Sequence, residues 1–170
     1  MTSPRRAYTL TELDRAQTLY DLTFPPDLIA YLSNDHWLET YDWRTDNPTL
    51  RGMLDWPYDG LIFDVEQNAL WPTSWGERPD TPQERAEALK ALVTAAPKLI
   101  PLFGHRYLPA EPNSVGNPVF SIYQSDIIIY GTDLADYVAR ELGEQPNKAL
   151  PNTARRIRFW SDLVDQNNEP

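Results

Sequence analysis

An α+β fold is predicted for this chain: one domain over residues 1–170, a mainly antiparallel sheet of five or six strands, and helices packed on one face and end. Three observations predict it. Val119-Phe120-Ser121-Ile122-Tyr123 and Ile127-Ile128-Ile129-Tyr130 are β-branched and aromatic runs parted by polar Gln124-Ser125-Asp126, the pattern of two short strands and a turn. Gly131 then breaks the second run, Thr132 or Asp133 can cap a new helix, and Leu134, Tyr137, Val138 and Leu142 recur at helical spacing until Gly143 stops it. Thr81-Pro82-Gln83-Glu84 combines a hydroxyl cap, a proline in the first turn and a glutamate three residues on, a complete helix start. At 170 residues the chain is long enough for one good core, because a domain of about 150 residues buries roughly two-thirds of its unfolded surface.

Taken in order, residues 1–8 are expected to fray and 9–20 to form a first helix. Thr9-Leu10-Thr11-Glu12 reads as a capping box, with Leu13, Ala16 and Tyr20 on one face. Pro25-Pro26 sits where a missing amide costs little, Asp27 favours the positive end of the helix dipole, and Leu28, Ile29, Tyr31 and Leu32 make a short buried helix ending near Ser33-Asn34. Leu61, Phe63 and Val65 alternate with Ile62, Asp64 and Glu66, and Gln67-Asn68 precedes Ala69-Leu70-Trp71. That pattern predicts a strand with one wet face, a hairpin turn and an antiparallel meander through the middle of the chain. In the helix from Thr81, Leu89, Leu92, Val93 and Ala96 line one face, and Pro97 forces a stop. Leu99-Ile100 and Leu102-Phe103 resume an extended run in which Pro101 marks an edge or a bulge, followed by Gly104-His105-Arg106-Tyr107-Leu108-Pro109. In the final sheet hairpin, Ile128 is expected to be fully buried. A Pro/Asn-punctuated linker over 145–153 leads to a last helix over 154–165, with Ala154, Ile157, Trp160 and Val164 on one face, and to a polar tail over 166–170.

Five of the six tryptophans, Trp37, Trp43, Trp56, Trp71 and Trp75, fall within residues 36–75. Trp43 and Trp71 read as core side chains whose indole nitrogens find acceptors. Trp56 and Trp75 lie in turn-like contexts, Asp55-Trp56-Pro57-Tyr58-Asp59-Gly60 and Ser74-Trp75-Gly76-Glu77-Arg78-Pro79. There an aromatic can anchor a partner, although packing against a proline is the commoner reason for one.

Asn117-Pro118-Val119-Phe120-Ser121, then Asp126-Ile127-Ile128, Tyr130-Gly131, Asp133-Leu134 and Tyr137, are similar to the C-terminal core of the SMI1/KNR4 family, also called the SUKH superfamily. Phe24-Pro25-Pro26-Asp27-Leu28 resembles the Leu-Pro-x-Asp-Leu helix start near the front of that family, so the likeness spans roughly residues 20 to 145. No motif in it is catalytic. The resemblance implies a protein-binding role: bacterial members are associated with immunity against polymorphic toxins, often nucleases or deaminases, and fungal relatives with cell-wall regulation.

Composition bounds the rest. With 41% hydrophobic residues and a mean hydropathy of −0.54, the chain has the make-up of a globular protein rather than a disordered one. No apolar run nears the ~20 residues needed to cross a bilayer. Met1-Thr2-Ser3-Pro4-Arg5-Arg6 carries the charge of a signal peptide's first region, but no apolar core follows, so a cytoplasmic location is expected. The lack of any cysteine excludes disulfides, thiolate catalysis and Cys-ligated metal sites. A net charge of −10 repels phosphate backbones and attracts cationic surfaces. Arg155-Arg156 and Arg158 form the one basic cluster, which at this charge is expected to pair with the domain's own acids or face solvent rather than touch nucleic acid.

Enzyme templates mostly fail: no serine elbow, no His-Glu-x-x-His spacing and no glycine-rich phosphate loop is present. The strongest catalytic idea is His105-Arg106 meeting Asp126 in the fold, and such a pair is far more often structural. The expectation is therefore a non-enzymatic protein-binding domain without cofactor or metal, an immunity protein that binds a basic toxin domain directly. Its expected partner-binding residues are Asp55, Trp56, Asp59, Trp75, Asp126 and Asp133. A regulatory or adaptor domain, or an enzyme centred on His105, are the competing classes.

Overall fold

In the computed structural model, which describes residues 3–144 and 153–168, the capping box at Thr9 is formed. Thr9 Oγ1 accepts from the Glu12 N–H and Glu12 Oε1 accepts from the Thr9 N–H, both at 3.0 Å. It opens α1 (Leu10–Tyr20), which buries Leu13, Ala16 and Tyr20. Just ahead of it, where fraying was expected, Arg5 exchanges backbone hydrogen bonds with His36 and the Tyr8 N–H donates to Leu32 O. Pro26 starts α2 (Pro26–Leu32), whose Leu28 and Leu32 are buried.

The expected meander is instead α3 (Pro48–Gln67). Asn47 Oδ1 accepts the Leu50 N–H at 2.7 Å and Pro48, which has no N–H to satisfy, occupies the first turn, so the start is capped. Leu50, Pro57, Leu61, Asp64 and Val65 form its buried stripe. Phe63, which a strand would turn inward with Leu61 and Val65, is 49% exposed. Alternation over five residues fits both periods, and Leu61 and Val65, four apart, extend a stripe that begins at Leu50. A proline inside a helix, as at Pro57, lacks the N–H that would pair the carbonyl four residues back. That carbonyl, Met53 O, accepts instead from the buried Tyr107 hydroxyl at 2.6 Å. Gly60 lets the helix lie against a turn: a Cβ there would stand 2.8 Å from Gln124 Cα.

Thr81 caps α4 (Pro82–Ala95) as expected, its side chain accepting the Glu84 N–H. The sheet follows as β1 (Leu99–Phe103), β2 (Arg106–Pro109), β3 (Val119–Tyr123) and β4 (Asp126–Gly131), antiparallel throughout in the order β1-β2-β3-β4. Among the described residues the sheet has four strands rather than five or six, because the segment expected to supply the others became α3. β1 is an edge strand with a register shift beside Pro101, as the proline required. α5 (Leu134–Glu141) folds back on β4, and Gly131 permits the approach, since a Cβ there would lie 2.6 Å from Tyr137 Cβ. α6 (Trp160–Asn168) begins six residues later than the helix expected over 154–165. The expected linker over 145–153 falls almost wholly outside the described residues, as do the last two of the expected tail.

Helices cover both faces of the sheet, not one face and an end. Ile100, Leu102, Leu108 and Val119 pack against α1, α2 and α5, while Leu99, Tyr107, Phe120, Ile122 and Ile127 pack against Leu61, Val65, Leu89, Trp160 and Leu163 of α3, α4 and α6. Successive strand residues point to opposite faces, and here both sets are apolar, so each face needs a cover. At the far end of the sheet, the buried Asn117 donates to Pro109 O and Pro112 O and accepts from Arg155. Asp27 Oδ2 accepts the Gly116 N–H at 3.1 Å, tying the start of α2 to the loop before β3. The basic cluster is spent internally: Arg156 pairs with Asp162 and Asp165, and Arg158 with Glu111.

Candidate functional site

In an antiparallel meander alternate turns share an end, so Gly104-His105 and Gln124-Ser125 lie together. Asp64 fixes this end to α3. Its Oδ2 accepts the Ser125 N–H at 2.8 Å and its Oδ1 accepts from Asn68 Nδ2 at 2.7 Å. Burial alone would raise its pKa, but these hydrogen bonds outweigh burial and hold it below the usual carboxylate range. Sequence alternation had put Asp64 on a wet strand face; an Asn four residues on, at helical spacing, was the signal for its real role.

The register shift in β1 sets Phe103 opposite Arg106, Arg106 opposite Ser121, and Ser121 opposite Ile128, one row across all four strands. Phe103 is 39%, Ile128 45% and Tyr123 54% exposed. Ile128 is thus not the buried residue that was expected: it shares a face with Ser121, and the apolar cover stops short of that row. Trp56 is in mid-helix rather than in a turn. Its Nε1–H donates to Ile122 O at 2.8 Å and its ring meets Tyr123 edge-on at 5.7 Å. The His105 ring approaches Tyr123 from another side, at 6.2 Å. Tyr123 and Phe103, not singled out from the sequence, are therefore the most exposed aromatic surface here; the trace they left was an aromatic closing each strand just before a polar turn.

His105 does not meet Asp126. Among the described residues its polar neighbour is Arg106, whose Nη1 lies 2.9 Å from His105 Nε2. A guanidinium can only donate, so Nε2 accepts and the neutral ring carries its proton on Nδ1. Burial and then the Arg106 charge push the His105 pKa down, against a smaller opposing pull from Glu141. Arg106 also donates to Ser121 Oγ at 2.8 Å and lies over the Tyr130 ring, 3.9 Å from its centroid.

The six expected partner-binding residues divide. Trp56 and Asp126 both adjoin Tyr123, the first by ring contact and the second as its register partner. Asp59 is exposed on α3 next to Gly60, where the helix touches the turn. Asp55 faces another way, into a groove of about 250 Å³ that it lines with Lys90, Lys98 and Leu54. Trp75 lies apart, stacked on Phe159 and edge-on to Trp71. Asp133 is the cap of α5, its Oδ1 accepting the Asp136 N–H at 2.8 Å. Among the described residues there is no group of three or more His, Cys, Asp or Glu placed to hold a metal ion, and no helix long and apolar enough to cross a membrane.

No family model, curated protein or solved structure matches the chain.

Proposed function

We propose that this chain is a protein-binding domain, an immunity protein that acts in the cytosol by binding a basic, nucleic-acid-processing toxin directly, with the hairpin end of the sheet as its contact surface. The carrying observation is the joint exposure of Phe103 and Tyr123 beside Trp56. Large aromatics left in water at a rigid turn, with a tryptophan braced beneath by a hydrogen bond, are the make-up of interface anchors. Asp59 and Asp126 flank them on a chain of net charge −10, which would speed encounter with a cationic partner. The SMI1/KNR4 resemblance supplies the biological setting. His105, whose pKa is pushed down by burial and then by the Arg106 charge and which has no hydrogen-bonded carboxylate among the described residues, lends the competing enzyme reading little support.

The test is growth rescue on co-expression with the product of the adjoining reading frame, backed by binding measured on the two purified proteins. Tyr123→Ala combined with Asp59→Lys is expected to abolish rescue at an unchanged melting temperature, while His105→Gln retains it. Association is expected to slow as salt rises. Full rescue by the folded double variant, with loss of rescue by folded His105→Gln, would move the site to the Gly104-His105-Arg106 turn.

A further inference from the structure

The two edges of the sheet are built differently. β1 carries Pro101, which cannot donate to a further strand, and a register shift beside it; both devices discourage pairing. β4 carries neither proline nor lysine, and at its centre stands Ile127-Ile128-Ile129. The register shows which groups its edge presents. The Ile122 N–H donates to His105 O and Ile122 O accepts from Trp56, so Ile122 turns its backbone away from β4. Ser121 and Tyr123 must then turn theirs toward β4, and their partners Ile128 and Asp126 turn back to meet them. Ile127 and Ile129, between and beyond, are left to point N–H and C=O outward. Asn167, near the end of α6, bears this out: its side-chain amide donates to Ser125 O at 2.7 Å and reaches Ile127 O at 3.4 Å. It covers the start of the edge and stops short of Ile129.

We propose that β4 pairs antiparallel with β4 of a second copy, about a two-fold axis through Ile128, so that two sheets become one. In this register Ile127 of each chain exchanges both backbone hydrogen bonds with Ile129 of the other, using the outward-facing groups, with Ile127 O giving up its long contact to the Asn167 amide at 3.4 Å. Ile128 meets its own counterpart at the non-hydrogen-bonded position, where facing side chains are closest, and this accounts for an aliphatic residue 45% exposed on an edge strand. Asp126, exposed and without an ion pair among the described residues, falls opposite Tyr130 of the second copy. The Arg106 guanidinium lies over that ring, so the carboxylate approaches a cation whose own ion pair, to Glu141, is a long one at 3.9 Å, and no like charges stand directly opposed. A foreign strand would have to supply this complement, whereas the segment is its own, as an isologous interface requires. The pairing shares Asp126 with the proposed contact surface, whereas Phe103, Tyr123 and Trp56 lie off the paired edge.

The chain has no cysteine, so one introduced thiol reports cleanly. Facing non-hydrogen-bonded residues have Cα atoms about 4.5 Å apart, inside the roughly 4.4–6.8 Å range a disulfide spans. Under mild oxidation Ile128→Cys is expected to convert to covalent dimer, whereas Val115→Cys, equally free to react at 62% exposure, is expected to stay largely monomeric. Sedimentation of the parent chain is expected to show a concentration-dependent dimer that Ile128→Lys loses with its melting temperature unchanged. Should Ile128→Lys disturb the fold, the cysteine pair still decides. A parent chain that stays monomeric at every concentration, or Val115→Cys cross-linking as readily as Ile128→Cys, overturns the proposal.

Discussion

Two glycines of α3 make a matched experiment, because alanine favours a helix equally at both and only one has room for it. Gly52 has no atom within 4 Å of the position a Cβ would take. Gly52→Ala should therefore collect the helix preference of alanine over glycine, up to about 1 kcal/mol. At Gly60 the same Cβ would stand 2.8 Å from Gln124 Cα and 3.0 Å from Gln124 N. Those are backbone atoms, in a turn whose next residue is tied down by the hydrogen bond from Ser125 N–H to Asp64, so neither side gives way easily. Overpacking of this kind costs about 1–3 kcal/mol, which outweighs the propensity gain. Thermal melts and urea titrations should show Gly52→Ala up by about 2–4 °C and Gly60→Ala below the parent, since 1 kcal/mol moves a domain of this size by about that much. Equal stabilisation by both variants would mean that α3 is not seated on the β3–β4 turn. Destabilisation by Gly52→Ala would mean that the segment is not helical there.

Tyr107→Phe removes the hydroxyl that pairs the carbonyl stranded by Pro57. It should cost about 1–3 kcal/mol in chemical denaturation, the usual penalty of a buried unsatisfied acceptor; no loss would show that Met53 O finds another donor. Ile127→Ala, at a fully buried position, should cost about 2–5 kcal/mol, and Ile128→Ala under about 1 kcal/mol at concentrations where the chain is monomeric; the reverse order would invert the faces of β4. For His105 the folded pKa lies below the unfolded value near 6.5. The unfolded chain therefore binds the proton first as pH falls. Stability is lost from about pH 6.5 downward until the folded pKa is passed. His105→Gln should flatten that limb of the stability-against-pH curve, and an unchanged slope would contradict burial of the neutral ring.

Much of the fold was legible in the sequence because it rests on local chemistry. The capping box at Thr9, the hydroxyl cap at Thr81, the stop at Gly143 and the strand-turn-strand of 119–131 need only neighbours a few residues away, and each stands where the residues placed it. The helix over 48–67 was not legible. Its proline and glycine argue against a helix locally, and both are excused only by partners distant in sequence: Tyr107, which takes the free carbonyl, and the Gln124 turn, which needs the missing Cβ. The site divided along the same line. Trp56 and Asp126 could be named as candidates from the residues themselves, but placing both beside Tyr123 required α3 to cross the end of the sheet. Residue type and spacing decide which groups can cap, pair or be buried. Which of two compatible periods a segment takes, and which apolar residues are left in water, is decided by the long-range packing that covers one face of β4 and stops short of Ile128.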